Sequence, residues 1–363
     1  MNRPPDEPDS KKPAAHDAAA GAPEHQRRPR YPGTHPKRFE ERYKELAAEK
    51  YPDIVPHVMA KGRTPAGQHV PIMVDEILEV LAPVPGDRAV DCTLGFGGHA
   101  QRLLERLQPG GHLLGLDADP IELPRTEARL RGLGHDELAL TVTRTNFAGM
   151  LTAMGAIGWH DGAAVILADL GVSSMQIDNP ARGFTFSAPG PLDMRMNPSR
   201  GSSAADWLAR AKPRDIARIL REHSDEPYAD VLGEALAAKE GALRTTEALA
   251  AAVRKVLGRR PDDEAEMSVR RVFQALRIEV NDEFGSLEAL LRDLPQALEP
   301  GGRVAMLTFH SGEDRRVKKA FIQGERDGVY SGIAPDVIRA GSQERFDNPR
   351  SKSAKLRWAR RAD

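Results

Sequence analysis

The chain has 363 residues, enough for one substantial α/β domain and a smaller companion. Its 52 Lys and Arg against 53 Asp and Glu leave a net charge of -1, which neither requires nor excludes a polyanionic partner. A single cysteine, Cys92, excludes a disulfide scaffold and a cysteine-rich metal site; no apolar run approaches about 18 residues and no signal-peptide core is visible, which gives a cytoplasmic reading without a membrane.

In chain order, residues 1–36 are rich in Pro, Ala, Asp, Glu and His and read as disordered, with Arg27, Arg28, Arg30, Lys37 and Arg38 forming a basic cluster that either rests on phosphates or is a solvated tail. Residues 39–51 have helical character, and the ordered domain is expected from near His69. Ile77, Leu78 and Leu81 share a face, which predicts the helix Val74–Leu81, and Pro85-Gly86 turns into a first strand over 88–93, with Cys92 as a buried apolar residue. Leu94 to Gly98 then holds three glycines in five residues, and 99–107 reads as a helix with Ala100, Leu103, Leu104 and Leu107 on one side. A second strand, 112–116, ends on Asp117, about twenty residues past the glycine loop, where a carboxylate accepts the hydroxyls of a ribose. The loop lacks the third spaced glycine of a dinucleotide fingerprint, because that position is Gln101. A nucleoside cofactor without phosphate, of the S-adenosylmethionine sort, a dinucleotide, and a merely tight turn all stay open at this point.

A helix over 125–132, a third strand over 138–143 ending at Asn146-Phe147, a helix from Met150 and a fourth strand over 162–169 continue the alternation. Phe147 stands where a ring lies beside an adenine or simply packs. Asp91, Asp117 and Asp169 are expected at the carboxyl ends of strands, the rim where open sheets bind ligands. Residues 171–198 show neither strand nor helix periodicity, and a loop of roughly thirty residues suggests a lid or substrate mouth; within it Arg182 and Arg195 are candidate phosphate or base contacts.

From Ala204 to about Leu257 the pattern is helical throughout, with a capped start at Thr246, and 258–266 is polar and loop-like. An all-helical stretch inside an α/β pattern suggests an inserted domain. Helical stripes return over 269–280 and 284–294, Pro300-Gly301-Gly302 turns, and a strand over 303–309 ends at His310, either a backbone-bonded histidine or a substrate contact or proton relay. The segment 345–363 carries Arg345, Arg350, Lys352, Lys355, Arg357, Arg360 and Arg361 against Asp347 and Asp363, basic enough to contact a phosphate backbone.

Eight blocks in order carry a family likeness: HVPIMVDEI at His69, DCTLGFGGHA at Asp91, LDADP at Leu116, DLGVSSMQID at Asp169, RGFTFSAPGPLDMRMNP at Arg182, FQALRIEVNDE at Phe273, FHSGEDRRVK at Phe309 and NPRSKSAKLR at Asn348. Through them the chain resembles the bacterial RsmH (MraW) family, methyltransferases that use S-adenosylmethionine to methylate N4 of a cytidine in the decoding region of 16S ribosomal RNA. The resemblance implies an α/β, Rossmann-like methyltransferase sheet with an inserted all-helical domain. Its boundaries fall at 1–68 for an N-terminal extension, 69–199 and 268–363 for the methyltransferase domain, and 200–267 for the helical substrate-recognition insert. It also implies S-adenosylmethionine held by Gly97, Gly98, His99, Asp117, Phe147, Asp169 and Gln176, with no metal. The implied partner is 16S rRNA within the small ribosomal subunit, and a homodimer is left open. The chain departs from the family at His223-Ser224-Asp225-Glu226-Pro227, where Tyr-Gly-Glu-Glu-Arg is usual, at Pro120-Ile121-Glu122, which lacks the customary alanine, and at Gly312, where leucine is usual.

Methyl transfer asks mainly that donor carbon and acceptor nitrogen be held in line in a dry pocket. Asp169 is the candidate polariser or base for the cytosine amino group, or else a cofactor ligand only. Asp169-Leu170-Gly171-Val172 replaces the Asp/Asn-Pro-Pro-aromatic motif of many amino-methyltransferases, so the stacking ring comes from elsewhere, with Phe184 or Phe186 as candidates. The rivals are a noncatalytic RNA-binding factor, a methyltransferase for DNA, protein or small molecules, and a nicotinamide-dependent oxidoreductase, the last disfavoured by Gln101.

Overall fold

A computed structural model describes residues 71–239, 242–258 and 261–363. The disorder expected over 1–36, the helix over 39–51, the basic cluster and His69 itself lie outside the described residues. The elements follow as α1 (Val74–Leu81), β1 (Arg88–Asp91), α2 (Gly98–Leu107), β2 (His112–Asp117), α3 (Leu123–Gly132), β3 (Leu140–Arg144), α4 (Met150–Ala156), β4 (Ala163–Asp169) and a short α5 (Ser174–Asp178). A helical run comes next: α6 (Ala204–Leu208), α7 (Pro213–Ser224), α8 (Ala229–Ala237), α9 (Thr246–Leu257), α10 (Asp262–Asn281) and α11 (Glu283–Ala297). The chain then returns to the sheet with β5 (Leu298–Thr308), α12 (Ser311–Arg326), β6 (Tyr330–Ile333), α13 (Ser342–Asp347) and β7 (Lys355–Arg361).

Among the described residues seven strands make one sheet in the order β3-β2-β1-β4-β5-β7-β6. β1 to β5 pair in parallel, and β7 runs antiparallel between β5 and β6. The parallel strands are apolar on both faces because helices cover both. Their alternation divides the core: Ala89, Leu113, Val165 and Leu307 pack with α1, α2 and α3, whereas Val90, Leu114, Ile166 and Met306 pack with α4, α11 and α12. A third cluster joins Ile219, Leu232, Leu249, Val253, Val272 and Leu276 from α7 to α10. The topology is that of a Rossmann-like methyltransferase sheet with an inserted helical region. No helix among the described residues is long and apolar enough to cross a membrane.

Three sequence expectations are corrected. The polar stretch 258–266 is not all loop, because α10 starts at Asp262 with Asp262, Asp263 and Glu264 in its first turn, where the helix dipole favours anions. The cap of α9 is Thr245, whose hydroxyl accepts from the Ala248 N–H at 3.1 Å, while Thr246 is buried and donates to the Ala188 carbonyl at 3.2 Å. Within the basic C-terminal segment, Lys355 and Arg357 pair with Asp314 at 2.9 and 2.6 Å, Arg350 with Asp178 at 2.9 Å, and Arg361 bonds the Leu298 carbonyl. The segment over 171–198 contains α5 and a tight turn at Pro180–Arg182, and is pinned by Asn281, whose side chain holds the Met194 carbonyl at 2.8 Å and the Met196 N–H at 2.7 Å.

Candidate functional site

The order of strands reverses at β1, flanked by β2 on one side and β4 on the other, and Asp91, Asp117 and Asp169 close these three strands at their carboxyl ends. A cavity of about 350 Å³ opens there. Gly97, Gly98, His99, Asp117, Phe147, Asp169 and Gln176 all line it, so the fold brings the seven candidate cofactor residues into one space.

The glycine loop is shaped by close approach. Gly97 has φ of 74°, and a Cβ there would lie 2.9 Å from the Thr126 side chain; one on Gly98 would lie 3.0 Å from the Pro71 ring. Asp117 braces the loop from below, its Oδ2 accepting the Gly95 N–H at 2.8 Å and its Oδ1 the Asp119 N–H at 2.8 Å. Burial pushes its carboxyl up, against those backbone hydrogen bonds. Phe147 opens a short turn at the end of β3 and stays half-buried on the cavity wall.

Asp169 is the site's chemical centre. Its backbone N–H donates to Thr93 Oγ1 at 2.7 Å, which fixes the strand end. Oδ2 lies 3.6 Å from His99 Nδ1, while Oδ1 is buried with no hydrogen-bond partner. Burial, then the charge of Glu313, pushes the carboxyl up to about 7. His99 Nε2 lies 2.9 Å from the Ile72 carbonyl, which can only accept, so the ring proton sits on Nε2 and Nδ1 faces Asp169 bare. Burial pushes the His99 ring down, toward this neutral form.

Gln176 is placed by a local capping box, its Oε1 accepting the Ser173 N–H at 3.0 Å, and by a network between distant residues. Its Nε2 donates to Asp119 Oδ2 at 2.8 Å, and the same oxygen accepts from Arg182 Nη1 at 2.7 Å. Arg182 also donates to the carbonyls of Arg195 and Met196 at 3.1 and 2.8 Å. It is therefore a buried strut, not a phosphate contact, and Arg195 is tied to Asp193 at 2.7 Å. Phe184 and Phe186 pack against the helical cluster, Phe186 edge-on to Phe273 at 5.1 Å, and neither lines the cavity.

The far wall was missed by sequence reasoning. It consists of Arg277, Asn281, Glu283, Phe284, Phe309 and Glu313. Arg277 holds Glu283 through two bonds of 2.8 and 2.9 Å. Burial pushes the Glu313 carboxyl up, but the His310 ring, 3.1 Å away, and the Arg277 charge outweigh it and hold it below its ordinary range. His310 thus turns to Glu313 and away from the cavity, as the start of α12. The available signal was Arg277 beside the inward stripe of Phe273, Leu276 and Val280, a cation in need of a partner.

Glu283, His310 and Glu313 bring ligand atoms within 4.8 Å of one another, but Glu283 is already paired with the Arg277 guanidinium, whose charge opposes a cation there. The arrangement suits a neutral or cationic nucleoside held by glycines and a carboxylate, with Asp169 on the cavity wall and its Oδ1 buried without a partner.

Residues 66–362 match the model of the MraW methylase family. The chain is 49% identical over 345 residues to a ribosomal RNA small subunit methyltransferase H 2 of Alkaliphilus metalliredigens, covering 93% of this chain and 98% of that one. It is 47% identical over 347 residues to a ribosomal RNA small subunit methyltransferase H 1 of Lachnoclostridium phytofermentans, with 94% of both covered, and 41% identical over 312 residues to a ribosomal RNA small subunit methyltransferase H of Rubrobacter xylanophilus, with 81% and 96% covered. Matched across nearly all of the described residues, with the cavity walls inside the match, the chain belongs to the MraW methylase family.

Proposed function

We propose that this chain transfers a methyl group from S-adenosylmethionine to N4 of a cytidine in the decoding region of 16S rRNA, within the small ribosomal subunit. The observation that carries the reading is the orphaned Asp169 Oδ1, buried at the switch point of the sheet beside the glycine loop. Family membership and relatives that are small-subunit rRNA methyltransferases support the substrate class. Work on the ribosome implies the cytoplasm, and a homodimer is part of the reading, checked by light scattering of the full chain.

The residues fit the cofactor. Gly97 and Gly98 leave backbone where a side chain would clash, Asp117 keeps lone pairs for ribose hydroxyls, and Phe147 offers a ring for the adenine. Gln176 and His99 complete that wall. Bound there, S-adenosylmethionine supplies an electrophilic methyl group. The chain's own part is to orient and to handle a proton. Asp169 Oδ1 accepts a hydrogen bond from the cytosine amino group, which draws the nitrogen lone pair out of the ring and toward the donor carbon. As the new bond forms, the carboxylate takes the amino proton, and the bare Nδ1 of His99 stands 3.6 Å away to share it. The helical insert, taken as residues 200–267 between the methyltransferase parts 69–199 and 268–363, serves to hold RNA, and residues 1–68 form an extension. The insert's support is a hydrophobic cluster built around α6 to α9, which also takes in Leu192 and Met194 before it and Val269 to Leu276 of α10 after it.

Labelled S-adenosylmethionine offered with small ribosomal subunits and with free 16S RNA, followed by nucleoside mass spectrometry, tests the reading. The expected product is one N4-methylcytidine. Asp169→Asn keeps cofactor affinity within a few-fold and lowers kcat about 100-fold or more. Binding of cofactor with no methylated RNA from either substrate overturns the proposal.

A further inference from the structure

The cavity wall carries four phenylalanine rings, Phe96, Phe147, Phe284 and Phe309. Two of them are already covered. The Arg129 guanidinium lies 4.5 Å from the centre of the Phe96 ring and also bonds the Phe96 carbonyl. Arg316 lies 3.6 Å from the centre of Phe284, whose surroundings are completed by His223 at 5.3 Å and His310 at 5.8 Å. Phe147 ends the strand beyond β2, on the ribose and adenine side of the rim.

Phe309 differs from all three. It follows β5, the strand paired with β4, and Asp169 lies in register with Leu307. The ring therefore stands one strand over from the Asp169 carboxylate, against Gly171, where a Cβ would meet Phe309 Cδ2 at 4.0 Å and nothing closer. Part of the ring packs on the cluster that contains Ile72 and Leu307, and the rest borders the cavity. Its backbone is fixed by the Phe309 N–H donating to Glu313 Oε2 at 2.8 Å. No ring or guanidinium among the described residues stacks on it. Gly171 has φ of 99° and no side chain, so the approach to the ring past Asp169 is open.

We propose that Phe309 supplies the ring on which the target cytosine stacks, with its amino group turned to Asp169. The proposal rests on the methyltransferase reading above and deepens it. A base extruded from an RNA strand loses its stacking neighbours and recovers them on an aromatic face, so such enzymes provide one. In this chain the strand-end sequence Asp169-Leu170-Gly171-Val172 carries no ring, and Phe309 fills that place from the neighbouring strand.

The test compares the native chain with Phe309→Leu, which keeps an apolar side chain without a ring, and Phe309→Tyr, which keeps the ring. Cofactor binding is measured by calorimetry, and kcat/KM is measured on small ribosomal subunits that lack the methyl group. Phe309→Leu is expected to bind S-adenosylmethionine within about twofold of the native chain and to lose about 5- to 150-fold in kcat/KM for subunits, with Phe309→Tyr staying within roughly threefold. Unchanged kcat/KM in Phe309→Leu, or equal losses in Leu and Tyr variants, overturns the stacking role. A Phe309→Leu loss matched by weakened cofactor binding overturns it too, because the ring would then belong to the cofactor. If the native chain itself methylates no subunit, the methyltransferase reading falls, an outcome separate from any difference between variants.

Discussion

Asp169 must be ionised to accept a hydrogen bond and a proton, yet burial and the Glu313 charge push its carboxyl up to about 7. Below that pH the group is neutral and holds the proton it should receive. A sulfonium cation bound beside it favours the charged form and moves the midpoint down. With cofactor saturating, kcat/KM for subunits should therefore rise with pH along a single-proton limb whose midpoint is at or below about 7, and Asp169→Asn should remove that limb along with most of the rate. Asp91 is a competing source, since burial raises it to about 6, but its Oδ1 is held by the Thr93 N–H and it does not line the cavity. Burial holds His99 toward its neutral form, while the His310 ring and the Arg277 charge hold Glu313 toward its charged form against burial, so neither adds an acid limb in this range. A limb that persists unchanged in Asp169→Asn would assign the titration elsewhere.

The contact between α11 and α12 depends on a glycine. A Cβ on Gly312, in the first turn of α12, would lie 2.6 Å from Phe284 Cζ at the start of α11. The Phe284 ring occupies the space that a side chain at Gly312 would need. Gly312→Leu alone should cost about 1–3 kcal/mol from overpacking. Combined with Phe284→Ala it should cost at least roughly 1 kcal/mol less than the two separate losses added, as read in a urea double-mutant cycle. Strict additivity would mean that the two sites do not share this space. Local and nonlocal information part company at the same scale. β1, β2 and β4, α1, α2 and the three strand-end carboxylates were legible because apolar runs, glycine loops and 3.6-residue stripes are written into adjacent residues. The Asp119–Gln176–Arg182 network and the wall containing Phe309 were not, because their partners meet only after the sheet has assembled; Arg277 and Glu283 pair instead across the junction of α10 and α11, whose geometry a helical stripe does not show. Arg182 read as an exposed cation for the same reason: a sequence shows its charge and not the Asp119 that neutralises it. In the basic C-terminal segment Lys355 and Arg357, on one face of β7, meet Asp314 in the first turn of α12, a partner that the local sequence does not show.

At the scale of the whole molecule, α10 joins the helical region to the cavity. Val269, Val272, Phe273 and Leu276 belong to the helical cluster, while Arg277 and Asn281, within two turns of them, line the cavity, and Asn281 also clamps the segment around Met194 and Met196. The described residues lie in a single compact unit. Helical region and sheet should then unfold together, and a ligand in the cavity should stabilise both. Trp207 sits against the helical cluster and Trp159 against the sheet core, so variants retaining only one of these tryptophans report on each part separately. S-adenosylhomocysteine at about 100 times its Kd should add about 2.7 kcal/mol to the unfolding free energy. Both tryptophans should show the same denaturation midpoint, and both midpoints should rise together. If the Trp207 transition came first and ignored the ligand, the helical region would be an independently folding domain, and α10 would not transmit cavity occupancy to the surface proposed to hold RNA.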